Sequence, residues 1–108
     1  LFRSALASTD CEVAVIDCLT VWLGNLLHHV GHGPRMEAAI NGFLDVLAVP
    51  PCDLIIVTNE VGMGIIPENA LARTFRDLAG SVNARAARVA QRVVLTVAGI
   101  PLIIKGNA

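Results

Sequence analysis

A short apolar run that stops at three polar residues is the feature that most constrains how this 108-residue chain can fold. Residues 54–57 have the length and composition of a buried β-strand. The polar residues that follow it are Thr58, Asn59 and Glu60. A loop with two glycines then leads through Pro67 into a long helical pattern. Because ligands bind beyond the carboxyl ends of strands in open α/β sheets, we expect a substrate or nucleotide to bind at this polar triplet.

The segment after the loop has apolar side chains at every third or fourth position, which predicts an amphipathic helix. The predicted apolar stripe consists of Leu71, Phe75, Leu78, Val82, Ala86 and Val89. Asn69 as an N-cap and Pro67 in the first turn are both compatible with the start of this helix. Arg73 and Arg76 lie off the stripe. They are candidates to bind phosphate, although the same pattern fits an ordinary solvated helix surface.

A second apolar run ends at a carboxylate. Residues 13–16 predict a buried strand, and Asp17 at its tip resembles the Walker-B aspartate that helps to hold Mg²⁺. A helix-capping aspartate fits the same pattern. Thr20, one helical turn later, is a candidate to line the nucleotide site. Helical patterns over residues 18–30 and 36–49 fill the connection to the next strand, so we expect two parallel neighbours joined by a right-handed crossover.

The C-terminal part of the chain predicts a hairpin. Apolar runs at residues 93–98 and 102–105 flank a turn that contains Gly99 and Pro101, and this turn is too short for a crossover. The hairpin is expected at an edge of the sheet. The length allows one domain, and 55% hydrophobic residues easily fill a core. We therefore predict a single α/β domain over residues 1–108, with a mostly parallel sheet flanked by helices and a C-terminal antiparallel edge hairpin.

Composition narrows the classes of function. A net charge of −1 offers no electrostatic basis for binding nucleic acid or an anionic membrane. No apolar run approaches the roughly 18 residues of a membrane-spanning helix. The cysteines form no C-x-x-C pair, which predicts reduced thiols in buried or partly buried positions, and no signal-peptide pattern is present. We therefore expect a cytoplasmic protein. The cysteines are Cys11, Cys18 and Cys52.

Motifs for nucleotide and metal binding are absent from these residues. The only lysine is Lys105, and it is not part of a G-x-x-x-x-G-K-[ST] phosphate loop. The segment 62–64 is not a dinucleotide-binding fingerprint, because no third glycine follows at the right offset. Two of the histidines are four positions apart, but the glycines between and after them argue against a continuous helix, and no cysteine stands at ligand spacing. The three histidines are therefore predicted to be exposed near a helix end. They are His28, His29 and His32.

Two strings of residues, 58–69 and 72–83, strongly resemble the bifunctional adenosylcobinamide kinase / adenosylcobinamide-phosphate guanylyltransferase family of cobalamin synthesis. The resemblance extends from about Asp17 to Lys105. It implies a P-loop-NTPase-like (RecA-like) fold. It also implies phosphorylation of adenosylcobinamide by GTP or ATP, followed by GMP transfer from GTP to adenosylcobinamide phosphate. That second step passes through a guanylyl-histidine and yields adenosylcobinamide-GDP.

The resemblance has consequences for this chain in particular. The family's phosphate loop and its guanylylated histidine precede the region that matches, so we expect a C-terminal part that lacks the N-terminal portion and is inactive alone. Asp17 is implied as the Mg²⁺ ligand or catalytic base, with Mg²⁺ and GTP or ATP as cofactors. The implied nucleotide- or substrate-binding residues are Thr20, Thr58, Asn59, Glu60, Arg73 and Arg76. A homo-oligomer is expected. The alternatives are a non-catalytic, truncated P-loop-like assembly or binding module, and a different P-loop small-molecule kinase.

Overall fold

The computed structural model describes residues 2–7 and 10–107. Its elements are α1 (Phe2–Ala7), β1 (Val13–Asp17), α2 (Leu19–Val30), α3 (Pro34–Ala48), β2 (Asp53–Val57), a 3₁₀ turn (Val61–Met63), α4 (Ala70–Val89), β3 (Val93–Val97) and β4 (Ile100–Lys105). The predicted strands and the helices of the crossover are all present, because their patterns of apolar residues are local and strong. The sequence has a polar break at Ser8, Thr9 and Asp10, of which Ser8 and Thr9 lie outside the described residues.

The strands β1 and β2 pair in parallel, as predicted. The register aligns Val13 with Asp53 and Asp17 with Val57, so that the two strands begin together and end together. Helices α2 and α3 form the connection between them. The tip of β1 and the residues that follow β2 therefore meet at one edge of the pair, as the candidate site requires.

One core joins three helices to the inner face of the parallel pair. The buried side chains are Leu19, Leu23, Met36, Ile40, Phe43, Val46, Ala79 and Val82. Ile16 and Ile56 pack against this core from the two strands. The rings of Trp22 and Phe43 lie 5.3 Å apart between centroids, so Trp22 is a packing residue. Burial of one large apolar side chain contributes about 1.5–3 kcal/mol, and the helices and strands are held together mainly in this way.

The outer face of the parallel pair is exposed, which corrects the prediction of fully buried strands. Val15 is 61% exposed and Ile55 is 53% exposed, whereas Ile16 and Ile56 on the other face are half-buried. The core helices lie on the inner face only. A continuous apolar run predicts burial on both faces, but whether a second layer covers the strand depends on residues elsewhere in the fold.

Helix α4 has a defined beginning. The Asn69 side chain accepts a hydrogen bond from the backbone N–H of Ala72 at 3.1 Å, so Asn69, rather than Pro67, caps the helix. The predicted stripe is buried only in its middle. Val82 is fully buried, but Leu71 is 64% exposed and Val89 is 37% exposed, because the ends of the helix extend past the core.

The hairpin β3–β4 is antiparallel, as predicted, and it turns through Ala98 and Gly99, both of which have positive φ. It forms its own two-stranded sheet and does not pair with β1 and β2, which corrects its expected place at the edge of the parallel sheet. Lys105 links it to α4 by donating to the carbonyl oxygens of Ala87 and Arg88 at 2.9 and 3.0 Å. This lysine therefore satisfies two backbone carbonyl groups in the last turn of α4.

Candidate functional site

The candidate site lies where β1 and β2 end. Asp17 is aligned with Val57, the residue that precedes Thr58, and its carboxylate is exposed. Helix α2 begins two residues after Asp17, so Thr20 lies in its first turn above the same edge. We call the group at this edge the carboxyl-edge cluster. It consists of Asp17, Thr20, Thr58, Asn59, Glu60 and Asn83.

The Thr20 hydroxyl is hydrogen-bonded to the polar triplet, while its role in lining a nucleotide site stays a prediction. The backbone N–H of Asn59 donates to the Thr20 hydroxyl at 3.1 Å, and that hydroxyl donates to the Asn59 side-chain oxygen at 3.0 Å. The hydroxyl oxygens of Thr20 and Thr58 lie 3.5 Å apart. These contacts tie the first turn of α2 to the tip of β2, across 39 positions in sequence.

Asn83 is the residue that sequence reasoning missed. Its side-chain oxygen accepts from the Thr58 hydroxyl at 2.8 Å. Its amide nitrogen donates to the backbone oxygen of Asn59 at 3.0 Å and to the Glu60 carboxylate at 3.3 Å. One side chain of α4 thus holds all three residues of the triplet. The available signal was its place in the resembling string 72–83, which does not reveal its partners.

The chemistry of the cluster suits a phosphorylated or hydroxylated ligand. Hydroxyls and amides both donate and accept hydrogen bonds, and the two carboxylates, from Asp17 and Glu60, only accept when ionised. A neutral hydrogen bond of this kind contributes about 0.5–1.5 kcal/mol net, so the network orients the exposed triplet more than it stabilises the whole fold. Preoriented polar groups lose less conformational freedom when a ligand binds.

The β1 tip carries an exposed carboxylate, which is the type of ligand that Mg²⁺ prefers. Among residues 2–7 and 10–107, the Asp17 carboxylate has no hydrogen-bond or ion-pair partner and is open to solvent. The same described residues contain no group of three His, Cys, Asp or Glu side chains that would hold a metal by themselves. Mg²⁺ is commonly held by one or two carboxylates together with water and phosphate oxygens. Asp17 can supply one such carboxylate ligand.

The two predicted arginines are placed differently. Arg73 donates to the carbonyl oxygens of Pro67 and Glu68, so its guanidinium holds the loop before α4 rather than the cluster. Arg76 forms an ion pair with Asp77 at 3.3 Å, and its side chain lies against Gly62, in the turn after Glu60. An exposed ion pair of this kind contributes little to stability. Of the two, Arg76 is the one that lies beside the loop carrying the triplet.

The three histidines lie away from the cluster. All are exposed, as predicted, and His28 and His32 line a shallow, mostly apolar groove between α2 and the start of α4. Thr20 lies near the opposite end of α2, a 12-residue helix about 18 Å long. The groove and the cluster are therefore separate features.

No described helix combines the length and the apolar character needed to cross a bilayer.

Comparisons with known proteins identify a family and several relatives. The family model described as cobinamide kinase / cobinamide phosphate guanyltransferase matches residues 2–104. The "Bifunctional adenosylcobalamin biosynthesis protein CobU" of Salmonella typhimurium is 42% identical, over 97% of this chain and 64% of that protein. The CobU protein of Escherichia coli is also 42% identical, over 87% of this chain and 59% of that protein. The "Bifunctional adenosylcobalamin biosynthesis protein CobP" of Pseudomonas aeruginosa is 38% identical, over 86% of this chain and 53% of that protein.

Proposed function

The chain belongs to the cobinamide kinase / cobinamide phosphate guanyltransferase family, and we propose that the complete protein containing it carries out both reactions. It would phosphorylate adenosylcobinamide with GTP or ATP, and then transfer GMP from GTP to adenosylcobinamide phosphate to give adenosylcobinamide-GDP. The family match agrees with the resemblance of residues 58–69 and 72–83, and it leaves no support for a different small-molecule kinase. The chain spans less than two thirds of the length of its relatives, so the whole activity is a proposal for the complete protein.

Beside the family match, the structural observation that supports this proposal is the carboxyl-edge cluster. A family member that phosphorylates a hydroxyl needs acceptors for the substrate proton and groups that orient phosphate. The cluster offers exposed carboxylates and oriented amides at the carboxyl edge of a parallel pair, where ligands bind in α/β folds. We assign Asp17 as the Mg²⁺ ligand or catalytic base. We assign Thr20, Thr58, Asn59 and Glu60 to bind the nucleotide or the aminopropanol arm of the corrinoid.

In the kinase step, the substrate hydroxyl oxygen forms a bond to the γ-phosphorus while the bond from that phosphorus to the β–γ bridging oxygen breaks. The hydroxyl proton passes to a carboxylate of the cluster. A bound Mg²⁺ would neutralise part of the phosphate charge. The Asn83 amide fixes the Glu60 carboxylate and the Asn59 backbone, and so keeps the triplet in one orientation.

Positive charge near the cluster bears on nucleotide binding, because phosphates are repelled by carboxylates. Arg76, beside the turn that follows Glu60, is the nearer of the two predicted arginines and is proposed to meet a phosphate. The role of Arg73 as a phosphate ligand stays a prediction. Its observed contacts, with the carbonyl oxygens of Pro67 and Glu68, support a role in shaping the loop instead.

The setting of the reaction is also a proposal. We propose a cytoplasmic homo-oligomer that uses Mg²⁺ with GTP or ATP and has no nucleic-acid partner. Near-neutral net charge and the absence of a membrane-spanning helix from the described residues are compatible with it.

The test is product formation. The complete protein is incubated with adenosylcobinamide, Mg²⁺ and GTP labelled first at the γ-phosphate and then at the α-phosphate. We expect γ-label in adenosylcobinamide phosphate and α-label in adenosylcobinamide-GDP. These 108 residues alone, which contain no phosphate loop, should form neither product.

Two results would contradict the proposal. One is a folded complete protein that binds GTP but labels neither product, which would favour the non-catalytic binding module. The other is turnover by the 108-residue chain itself, free of the complete protein, which would show that no further phosphate-binding segment is needed.

A further inference from the structure

Two thiols lie against each other at the opposite edge of the parallel pair. Cys11 precedes β1 and Cys52 precedes β2, and their sulfur atoms are 3.5 Å apart although the residues are 41 positions apart in sequence. Both are free and half-buried. A disulfide has a sulfur–sulfur bond of about 2.05 Å, so the two sulfurs need to approach by only about 1.5 Å.

We propose that Cys11 and Cys52 form an oxidisable dithiol that closes to a disulfide when it meets a low-molecular-weight disulfide such as oxidised glutathione. The site is independent of the carboxyl-edge cluster and of the proposed function. It is a covalent modification site at the amino edge of the pair, and its effect is to join the beginnings of β1 and β2.

The chemistry is ordinary thiol–disulfide exchange. One cysteine thiolate attacks oxidised glutathione, forms a mixed disulfide and releases one glutathione thiolate, which takes up a proton. The second cysteine thiolate then attacks the protein sulfur of that mixed disulfide and releases the second glutathione. The two protein thiols lose two electrons and two protons in total, and one oxidised glutathione becomes two reduced molecules.

The sheet itself keeps the two thiols together. The backbone N–H of Asp53 donates to the carbonyl oxygen of Glu12 at 3.1 Å, and these residues are the direct neighbours of Cys52 and Cys11. The hydrogen-bonded strands therefore place the second thiol next to the first. Exchange within the mixed disulfide is then intramolecular, and capture of a second glutathione is disfavoured.

The environment of Cys52 agrees with this contact. Its pKa is raised by partial burial, by the hydrogen bond and the charge interaction with Cys11, and by the nearby Asp53 carboxylate, while a backbone contact at Ala14 lowers it. Because the thiolate is the attacking species, we expect closure to be faster in mildly alkaline buffer than at neutral pH.

The third cysteine serves as an internal control. Cys18 follows the other end of β1, a five-residue strand, and so lies roughly 20 Å from Cys11. It is half-buried like the other two, but it cannot reach either of them without unfolding of the parallel pair. A bridge that forms in the folded protein should therefore leave Cys18 free, alone among these three cysteines.

The experiment treats the reduced, folded protein with excess oxidised glutathione, blocks free thiols with N-ethylmaleimide and measures intact mass and peptide maps without reduction. We expect the loss of two hydrogen masses on bridge formation, a peptide cross-linked between Cys11 and Cys52, and Cys18 as the alkylated one of these three cysteines. Dithiothreitol should reverse all three changes. The bridged protein should unfold roughly 5–15 °C higher than the reduced protein, since the cross-link closes a long loop.

Variants make the assignment sharp. Cys18→Ser should still form the bridge, whereas Cys11→Ser and Cys52→Ser should stop at the mixed disulfide with glutathione. Wild-type protein that carries glutathione on both Cys11 and Cys52 without a cross-link would overturn the proposal. A cross-link that forms only in urea would also overturn it. So would cross-links to Cys18 that are as frequent as the one between Cys11 and Cys52. The wild-type peptide map decides the question even if a serine variant fails to fold.

Discussion

The two edges of the parallel pair are built from the same strands, yet they present different chemistry. At the carboxyl edge, Thr58 and Asn59 are held by hydrogen bonds from two different helices. At the amino edge, Cys11 and Cys52 touch each other, beside the backbone hydrogen bond between Asp53 and Glu12. Neither edge is buried in the core.

The difference arises from what the chain does after each strand. Helix α2 starts two residues past the end of β1 and brings Thr20 over the edge, and α4 passes the tip of β2 with Asn83. No described helix supplies a hydrogen bond to the two thiols at the other edge. Helix side chains from elsewhere in the sequence therefore turn a strand tip into an oriented polar site.

If one core supports both edges, Phe43→Ala should destabilise the two edges together. We expect this substitution to have the largest effect on stability. Phe43 is only 2% exposed, so its truncation should lower the free energy of unfolding by about 3–5 kcal/mol. Urea unfolding gives the value. Ile65→Ala is the matched control, because Ile65 is 97% exposed and should change stability by less than about 0.5 kcal/mol. A variant that disorders one edge and leaves the other intact would show two independent cores.

Two aspartates at opposite edges separate function from stability. In the complete protein, Asp17→Asn should lower the kinase rate by roughly 100-fold or more, because it removes a proposed Mg²⁺ ligand or base. Stability should change by less than about 0.5 kcal/mol, since Asp17 is exposed. Asp53→Asn, equally exposed at the amino edge, is the control and should leave the rate within twofold, or about 0.4 kcal/mol. A large loss of thermal stability in Asp17→Asn with an intact rate would overturn the assigned role.

A substitution at Asn83 tests whether the hydrogen bonds from α4 orient the triplet. Asn83→Ala removes three hydrogen bonds to the triplet and should lower stability by about 1–2 kcal/mol. It should also raise the KM for nucleotide or corrinoid in the complete protein. Asn25→Ala, on the exposed surface of α2, should change neither. Equal effects of the two substitutions would mean that the network does not orient the triplet.

Asn69 distinguishes a weakened helix from a weakened site. Asn69→Ala removes the N-cap of α4 and should cost about 1 kcal/mol of stability. The Asn83 contacts lie more than three turns further along the helix, so activity of the complete protein should stay unchanged once it is assayed well below its melting temperature. A parallel fall in activity would mean that Asn83→Ala acts only through α4.

The smallest effect belongs to the amino edge. Because the pKa of Cys52 is raised in the folded protein, the fold favours the protonated thiol. This contribution to stability is complete below the ordinary thiol pKa of about 8.5 and is lost as the pH rises through the raised folded value. The free energy of unfolding of the reduced protein should therefore fall at alkaline pH, and less so in Cys52→Ser. The chain contains no tyrosine to titrate in this range. Identical pH profiles would argue against contact between the two thiols.

Several features of the site were predictable because they are local. The tips at Asp17 and Thr58 follow apolar runs, and the long crossover between the strands predicts their parallel pairing. Thr20 follows from its place one turn after Asp17. Asn83 and the contact between Cys11 and Cys52 were not predictable in the same way, because each joins residues 23 to 41 positions apart. The helical and strand periodicities of apolar residues show which face of one element is buried, but not which distant residues come into contact.

The helices, the strands, the turn at Gly99 and the family follow from the amino-acid sequence, since each depends on short-range patterns and on strings of neighbouring residues. Tertiary structure alone decided which face of β1 and β2 is covered, that the hairpin stands apart from the parallel pair, and which side chain orients the triplet. The physical reason is that burial and hydrogen bonding between distant segments depend on how whole elements pack, and packing is a property of the fold rather than of any one segment.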